Sequence, residues 1–479
     1  MTERAKTAWA FAITSVALFM VSLDNLVVTT ALPVIKRDLG ASLSGLEWTV
    51  NAYTLTFAVL LLTGAALGDR FGRKRMFSIG MAIFTLGSAA AALAPTTGAL
   101  ILARAAQGVG GAIVTPLTLT ILSAAVSPER RGLALGAWGG VAGLAIAIGP
   151  LVGGAVVDGI SWNWIFWLNV PIGLIVLPLA VARLTETTGP NRALDLPGLG
   201  LASAGLFGIV FGLVRANEHG WGSLGVAGPL ALGGVLLASF VAWELRTRAP
   251  MVPMRFFRNR EFSAANVTSL LMYFGMFGSI FLLAQFFQVV QGYSPLQAGL
   301  RTLPWTGMPI LVAPLAGALS DRIGSRPLLV SGMALMSGAL AWLAAISSPT
   351  VPYAHLVAPF VMAGVGMSLF FAPTANLVLS AVRRDEEGKA SGVNNTIREV
   401  GGVFGVAVLA TVFSAVGSYA SPAAFVHGLT SAVWVGAALV GLGVISALAI
   451  PGRKAIALRR EAQDFALPEL VPSPSRIAS

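Results

Sequence analysis

Apolar residues run along this chain in long blocks, separated by short stretches rich in glycine, arginine and aspartate. A helix needs about 20 consecutive apolar residues to cross the hydrocarbon of a bilayer. Fourteen blocks meet that length, near 9–33, 46–68, 76–94, 98–122, 132–157, 161–183, 197–216, 224–244, 262–290, 296–320, 327–346, 353–381, 390–417 and 427–450. The first, from Thr7 to Ile35, is too long for a signal-peptide core and lacks a small-residue cleavage site, so it reads as a span. The pattern predicts an all-α membrane protein with fourteen transmembrane helices. An even count leaves both termini on one side.

Composition supports this. Charged residues make up 11% of the 479, and hydrophobic ones 56%, whereas an ordinary soluble domain carries about 25% charge. The net charge of +11 suggests a nucleic-acid partner in a soluble protein, but here the basic residues lie between apolar blocks. The amino terminus, alternate loops and carboxyl tail hold 25 of the 31 lysines and arginines. The opposite loops hold Lys36, Arg37 and Arg215, with Arg301 near a helix entrance. By the positive-inside rule both termini are cytoplasmic in a plasma-membrane protein, and no nucleic-acid partner is expected. Absence of cysteine excludes disulfides and thiolate metal sites. The G-x-x-G spacings suit helix packing rather than a phosphate loop. Neither metal nor cofactor is expected, and an ion gradient is the remaining energy source.

The chain repeats itself. "GAALGDRFGRKR" (64–75) follows the second block and "GALSDRIGSRP" (317–327) follows the tenth. Two parallel six-helix halves account for this, with a substrate site at their interface near the midplane. The divisions read as an amino-terminal bundle, 1–184; a linker with two extra helices, 185–260; a carboxyl-terminal bundle, 261–452; and a flexible tail, 453–479.

Three ionisable groups inside blocks carry weight as transport residues: Asp24, Arg104 and Glu399. Arg104 is the only charge between Met76 and Ser127, in "LILARAAQGVGGAIVTP", and such a charge at hydrocarbon depth costs about 2.5–3.5 kcal/mol on insertion scales. Asp24 lies about 22 Å along its helix from Trp9, and Glu399 about 15 Å from Lys389. Desolvation and nearby charge can poise a buried carboxylate to load and release a proton. A static ion pair is the alternative, and Arg398 could neutralise Glu399. Arg104 cannot deprotonate, so it would bias Asp24 directly or through Gln107, unless it snorkels outward. On the fifth helix Gly143, Gly149, Pro150, Gly153 and Gly154 permit close packing and a bend. Candidate cavity residues are Trp48 and Tyr53 on helix two, Gln107 on four, Phe281 and Gln285 on nine, and Asn394, Asn395 and Arg398 on thirteen. An acid such as Asp69 can sit against a helix N-terminus.

Several segments resemble the major facilitator superfamily, and within it the fourteen-helix drug:proton antiporter branch. "SLDNLVVTTALPVI" (22–35), with Asp24 in the acidic position, is similar to that branch's first-helix signature. "GDRFGRKR" resembles the loop motif between helices two and three, and "LARAAQGVGGA" (102–112) the fourth-helix motif. "GLAIAIGPLVGG" (143–154) resembles the antiporter motif, and "SWNWIFWLNVPIG" (161–173) the sixth-helix entrance. One position departs: the loop motif's glycine four residues before its aspartate is Gly317 in the second copy but Ala65 in the first, with Gly64 beside it.

The resemblance implies a fold of two six-helix bundles plus an inserted two-helix hairpin. It implies that Asp69, Arg70, Gly72 and Arg73, with Asp321 and Arg322, form a conformational latch, and that the fifth-helix motif seals against leak. It also implies a functional Arg104 and a monomer. The expected function is proton-coupled export of lipophilic small molecules, cationic or neutral, by alternating access rather than enzymatic turnover. A lipid or fatty-acid translocator, or a proton-coupled metabolite uptake carrier, would use the same scaffold.

Overall fold

The computed structural model describes residues 2–126, 131–188, 195–382 and 386–452. Among these, every regular element is a helix, and the fourteen blocks become fourteen helical rods. They are α1 (Glu3–Leu39), α2 (Leu43–Phe71), α3 (Arg73–Ala92), α4 (Thr97–Ala125), α5 (Arg131–Gly159), α6 (Trp164–Trp167 and Asn169–Arg183), α7 (Leu196–His219) and α8 (Leu224–Glu244). Then follow α9 (Arg260–Gln285, closing in a π-turn at Phe286–Val290), α10 (Pro295–Thr306 and Met308–Ile323), α11 (Ser325–Ile346), α12 (Tyr353–Ser380), α13 (Glu387–Val416) and α14 (Pro422–Leu448). Several rods extend past their apolar blocks because polar residues cap them. The side chains of Thr2, Ser42, Thr96, Ser294 and Ser421 each accept from a backbone N–H in the first turn. The break in α10 falls at Gly307, between Pro304 and Pro309, where two missing backbone donors interrupt the ladder.

The first six rods pack into one bundle and α9–α14 into another. Within the first, α4 is pressed between α2 and α3. A Cβ on Gly108 would lie 2.4 Å from the Tyr53 carbonyl oxygen, and one on Gly110 would lie 2.4 Å from the Phe84 nitrogen. Only glycine admits both approaches, and they bring Arg104 and Gln107 against the polar side chains of α2 and α3. On α2 the close contact falls at Gly64, where a Cβ would stand 2.3 Å from the Ala112 carbonyl. The loop motif's displaced glycine therefore still serves helix approach, and Ala65 does not loosen it.

The hairpin α7–α8 lies against a seam between the bundles. Leu55 and Val59 of α2, Val210 and Val214 of α7, and Val403 and Ala407 of α13 form one buried cluster. Thr411 of α13 donates to the Leu213 carbonyl at 3.2 Å. Trp48 belongs to this contact, packing on Phe207 and Phe211 of α7 at 5.8 and 6.3 Å. Leucines 86, 102, 174, 232, 311 and 315 are exposed on the outer surface, as lipid-facing positions require.

The second seam joins α5 to α10 at the end opposite the Asp69 loop. A Cβ on Gly154 would meet the Pro295 carbonyl at 2.3 Å, and one on Gly299 the Pro150 carbonyl at 2.2 Å. Ser294 donates to Asp158 across the same contact at 2.8 Å. Gln288 of α9 donates to the Thr30 carbonyl of α1, also at 2.8 Å. That end of the molecule is closed. Gly143 lies on α5, whereas the Asp321 side chain and the tail 453–479 fall outside the described residues.

Candidate functional site

Arg104 is fully buried, with 0% of its surface exposed, and Asp24 retains 1%. Arg104 does not snorkel; its Nη1 donates directly to Asp24 Oδ2. The other carboxylate oxygen, Oδ1, accepts from Gln107 Nε2 at 2.8 Å and from Asn169 Nδ2 at 2.7 Å. Those two amides also donate to Ser88 Oγ, at 3.1 and 3.0 Å, and Ser88 donates onward to the Phe166 carbonyl at 2.9 Å. Arg104 has other partners besides the acid. Its Nη1 donates to Gln107 Oε1 at 2.8 Å and its Nε to the Thr49 carbonyl at 3.2 Å. The guanidinium carbon lies 4.2 Å from the Tyr53 ring centroid and 5.7 Å from that of Phe166, where cation–π attraction is effective.

Five rods thus converge on one carboxylate: α1 supplies Asp24, α2 Thr49 and Tyr53, α3 Ser88, α4 Arg104 and Gln107, and α6 Asn169. A buried ion pair is tolerated when its remaining donors and acceptors also find partners; here both Asp24 oxygens accept, and Arg104 Nε and Nη1 have acceptors besides the acid. Ser88 and Asn169 are absent from the sequence-based candidates. Asn169 carried a signal, being a lone amide in the apolar run "FWLNVPIG". Ser88 carried none.

Known proteins match most of this chain. A family model described as Major Facilitator Superfamily matches residues 14–406. The chain belongs to the major facilitator superfamily. It is 35% identical over 403 residues to the tetracenomycin C resistance and export protein of Streptomyces glaucescens, covering 84% of this chain and 74% of that one. It is 34% identical over 469 residues to the puromycin resistance protein of Streptomyces alboniger, covering 95% and 92%. In fold it is similar to a bacterial homologue of the human lysosomal transporter Spinster, solved inward-facing and unoccupied. The TM-score there is 0.65 at 15% identity, with 95% and 98% of the chains covered.

Superfamily membership directs attention to the loop after α2. Arg73 donates to Asp69 Oδ1 from Nε at 3.0 Å and from Nη2 at 2.9 Å. The acid at the N-terminus of α3 is not Asp69, as the sequence suggested, but Glu186 from beyond α6. Its two oxygens accept from the backbone nitrogens of Lys74 and Arg75 at 2.9 and 3.1 Å, a placement the helix dipole favours. Gly72 makes room for it: its φ is +103°, and a Cβ there would lie 2.8 Å from the Glu186 carboxyl carbon. Gly324 repeats the unusual backbone at φ +87° in the second bundle. Arg70 and Arg322 are exposed beside these turns.

In the second bundle Glu399 is partly exposed at mid-span of α13, a rod that packs on α2 of the first bundle as well as on α9. Asn394 is buried and donates to Asn266 Oδ1 and Ser269 Oγ, both at 3.0 Å. Phe281 and Gln285 are also buried; Gln285 donates to the Phe281 carbonyl at 3.0 Å and accepts from the Tyr419 hydroxyl. At that closed end, Lys36 of α1 lies over the Tyr419 ring. Glu47 and Asn51, one turn apart on α2, are both fully buried; neither was among the sequence-based candidates. Burial, with the charge of Glu47 nearby, pushes the Tyr419 phenol above its usual range.

Proposed function

We propose that this chain is a proton-coupled antiporter that exports lipophilic small molecules by alternating access. Protons and the exported molecule are its partners, and the gradient replaces any cofactor. It would work as a monomer in the plasma membrane with both termini cytoplasmic. The moving parts would be 1–184 and 261–452, tied by the 185–260 hairpin segment. The resistance and export activities named for the two relatives support the substrate class.

The observation that carries this reading is the buried Asp24 with its alternative-partnered Arg104. Removing one member of a buried ion pair normally strands the other charge, at about 3–5 kcal/mol. Here protonated Asp24 would leave Arg104 with the Gln107 oxygen, the Thr49 carbonyl and two aromatic faces. Neutralisation of the acid is thereby made affordable, and the guanidinium is free to shift toward those partners. That shift couples a proton to the packing of α1, α2 and α4. Glu399, facing the same central region from α13, would be the second proton acceptor. The α5–α10 contact would part and reform as the bundles rock, while the turns at Asp69 and Asp321 would favour closure of the opposite end.

The test is efflux in inside-out vesicles under an imposed pH gradient. Asp24→Asn is expected to abolish gradient-driven transport while the amount of protein in the membrane is unchanged. Wild-type coupling in that variant would remove Asp24 from the mechanism.

A further inference from the structure

The second bundle holds an arginine in a setting like that of Arg104, but its guanidinium donates to no carboxylate: among the described residues even its chain neighbour Glu399 makes no ion pair with it. The Arg398 guanidinium carbon on α13 lies 4.6 Å from the Tyr273 ring centroid and 5.4 Å from that of Phe371. Its Nη2 donates to the Tyr273 hydroxyl and its Nη1 to Asn395 Oδ1 at 3.3 Å. Both acceptors are neutral. Among the described residues no carboxylate makes an ion pair with it, in contrast to Arg104 and Asp24. The Nε is buried with no acceptor. A guanidinium cannot shed its charge, and a buried donor without a partner is unfavourable.

The surroundings suit a guest. Arg398, Glu399, Phe371 and Phe277 are partly exposed at mid-span although α13 is packed by α9, α14, α2 and α7. Tyr273 stacks on Phe277 at 5.5 Å, so the arginine stands at the edge of an aromatic surface. In the first bundle Asp24 is already engaged by Arg104 and two amides.

We propose that Arg398, Tyr273 and Phe371 form an anion-accepting aromatic subsite, so that the exported molecule is an aromatic compound bearing a carboxylate or an ionised phenol or enol. The guanidinium edge supplies the charge-assisted donors that an oxyanion takes up in a fork, and the ring stacks on the aromatic surface. This rests on the exporter reading, and it replaces the cationic or neutral substrate expected from the sequence with an anionic one.

Binding to purified protein in detergent at neutral pH tests it, using two fluorescent probes of one shape: 9-anthracenecarboxylate and 9-(aminomethyl)anthracene. The wild type is expected to bind the carboxylate at least about tenfold more tightly, a tenfold ratio being 1.4 kcal/mol. Arg398→Gln is expected to erase that preference. Arg398→Lys, which keeps the charge but loses the fork, should retain part of it. No binding of the carboxylate by the wild type, equal binding of the two probes, or a preference that survives in Arg398→Gln overturns the proposal. Should Arg398→Gln fail to fold, the wild-type comparison and Arg398→Lys still decide. The measurement needs no gradient, so absence of proton-driven efflux in vesicles would count against the antiporter reading and not against this subsite.

Discussion

A single side chain inside a membrane can be read from its expense. Arg104 stood out because nothing else in its block is charged, and its partner Asp24 stood out for the same reason. Pairing them required only that α1 and α4 belong to one bundle. What sequence did not reveal is the shell that makes the pair stable. Ser88 looks like any small helix-packing serine; and outside that shell, at the N-terminus of α3, Glu186 lies in a polar stretch where any acid seems solvated. Their partners come from helices or loops distant in the chain, so no local spacing marks them. The shell has a measurable share in the site. Asn169 gives Asp24 Oδ1 one of its two amide bonds, and a hydrogen bond to a charged group contributes about 1.5–3 kcal/mol. Asn169→Leu, close in size but with no donor, is expected to lower the melting temperature in detergent and slow gradient-driven efflux tenfold or more. Asn163→Ala removes an amide bond to the Ala92 carbonyl at 2.8 Å, a neutral pair worth about 1 kcal/mol, and should leave efflux close to wild type. Equal losses in the two variants would reduce Asn169 to packing.

Among elements, the legible features were length and glycine content, and both carried physical information. Apolar length gave all fourteen rods, with ends shifted mainly where capping side chains continue a helix past its hydrophobic block. Glycine content foretold that α5 would be approached closely, but not by which helix. The motif divides its work: a Cβ on Gly149 or Gly153 would collide with Leu26 or Thr30 of α1, whereas Gly154 faces Pro295 of α10. Two of these glycines therefore set packing within a bundle and the third permits a contact between bundles. If that contact must open in each cycle, tying it should stop transport. The chain has no cysteine, so Asp158→Cys with Ser294→Cys introduces the only thiols, at positions whose side chains touch at 2.8 Å. Oxidation is expected to cross-link α5 to α10 and abolish efflux, and reduction to restore it. Full activity in the cross-linked protein would mean that this seam stays shut throughout the cycle.

At the scale of the whole molecule the two seams are unequal, and this follows from where the extra hairpin sits. The repeat in the sequence implies two similar halves, which alone would give two similar clefts toward the bilayer. Nothing in the order of residues says which cleft the hairpin covers, because α7 and α8 are apolar around their circumference and carry no amphipathic stripe to aim them. The packing answers it: Val210 and Val214 of α7 bury Leu55, Val59, Val403 and Ala407, and Thr411 is tied to Leu213. The α2–α13 seam is thus lined on its outer side by protein, while the buried face there is aliphatic and offers no path for polar groups. A lipophilic molecule arriving through the hydrocarbon would then reach the centre beside α5 and α10. A carbene-generating probe dissolved in the bilayer makes this measurable by mass spectrometry. Wild-type α13 is expected to be protected at Val403 and Ala407 while the outer surface of α10, at Leu311 and Leu315, is labelled. Replacing residues 196–244 with a polar linker should expose Val403 and Ala407 to the probe. Labelling of those two residues in the intact protein, at the level seen on α10, would show that the hairpin leaves the α2–α13 seam open to lipid and that both sides admit substrate.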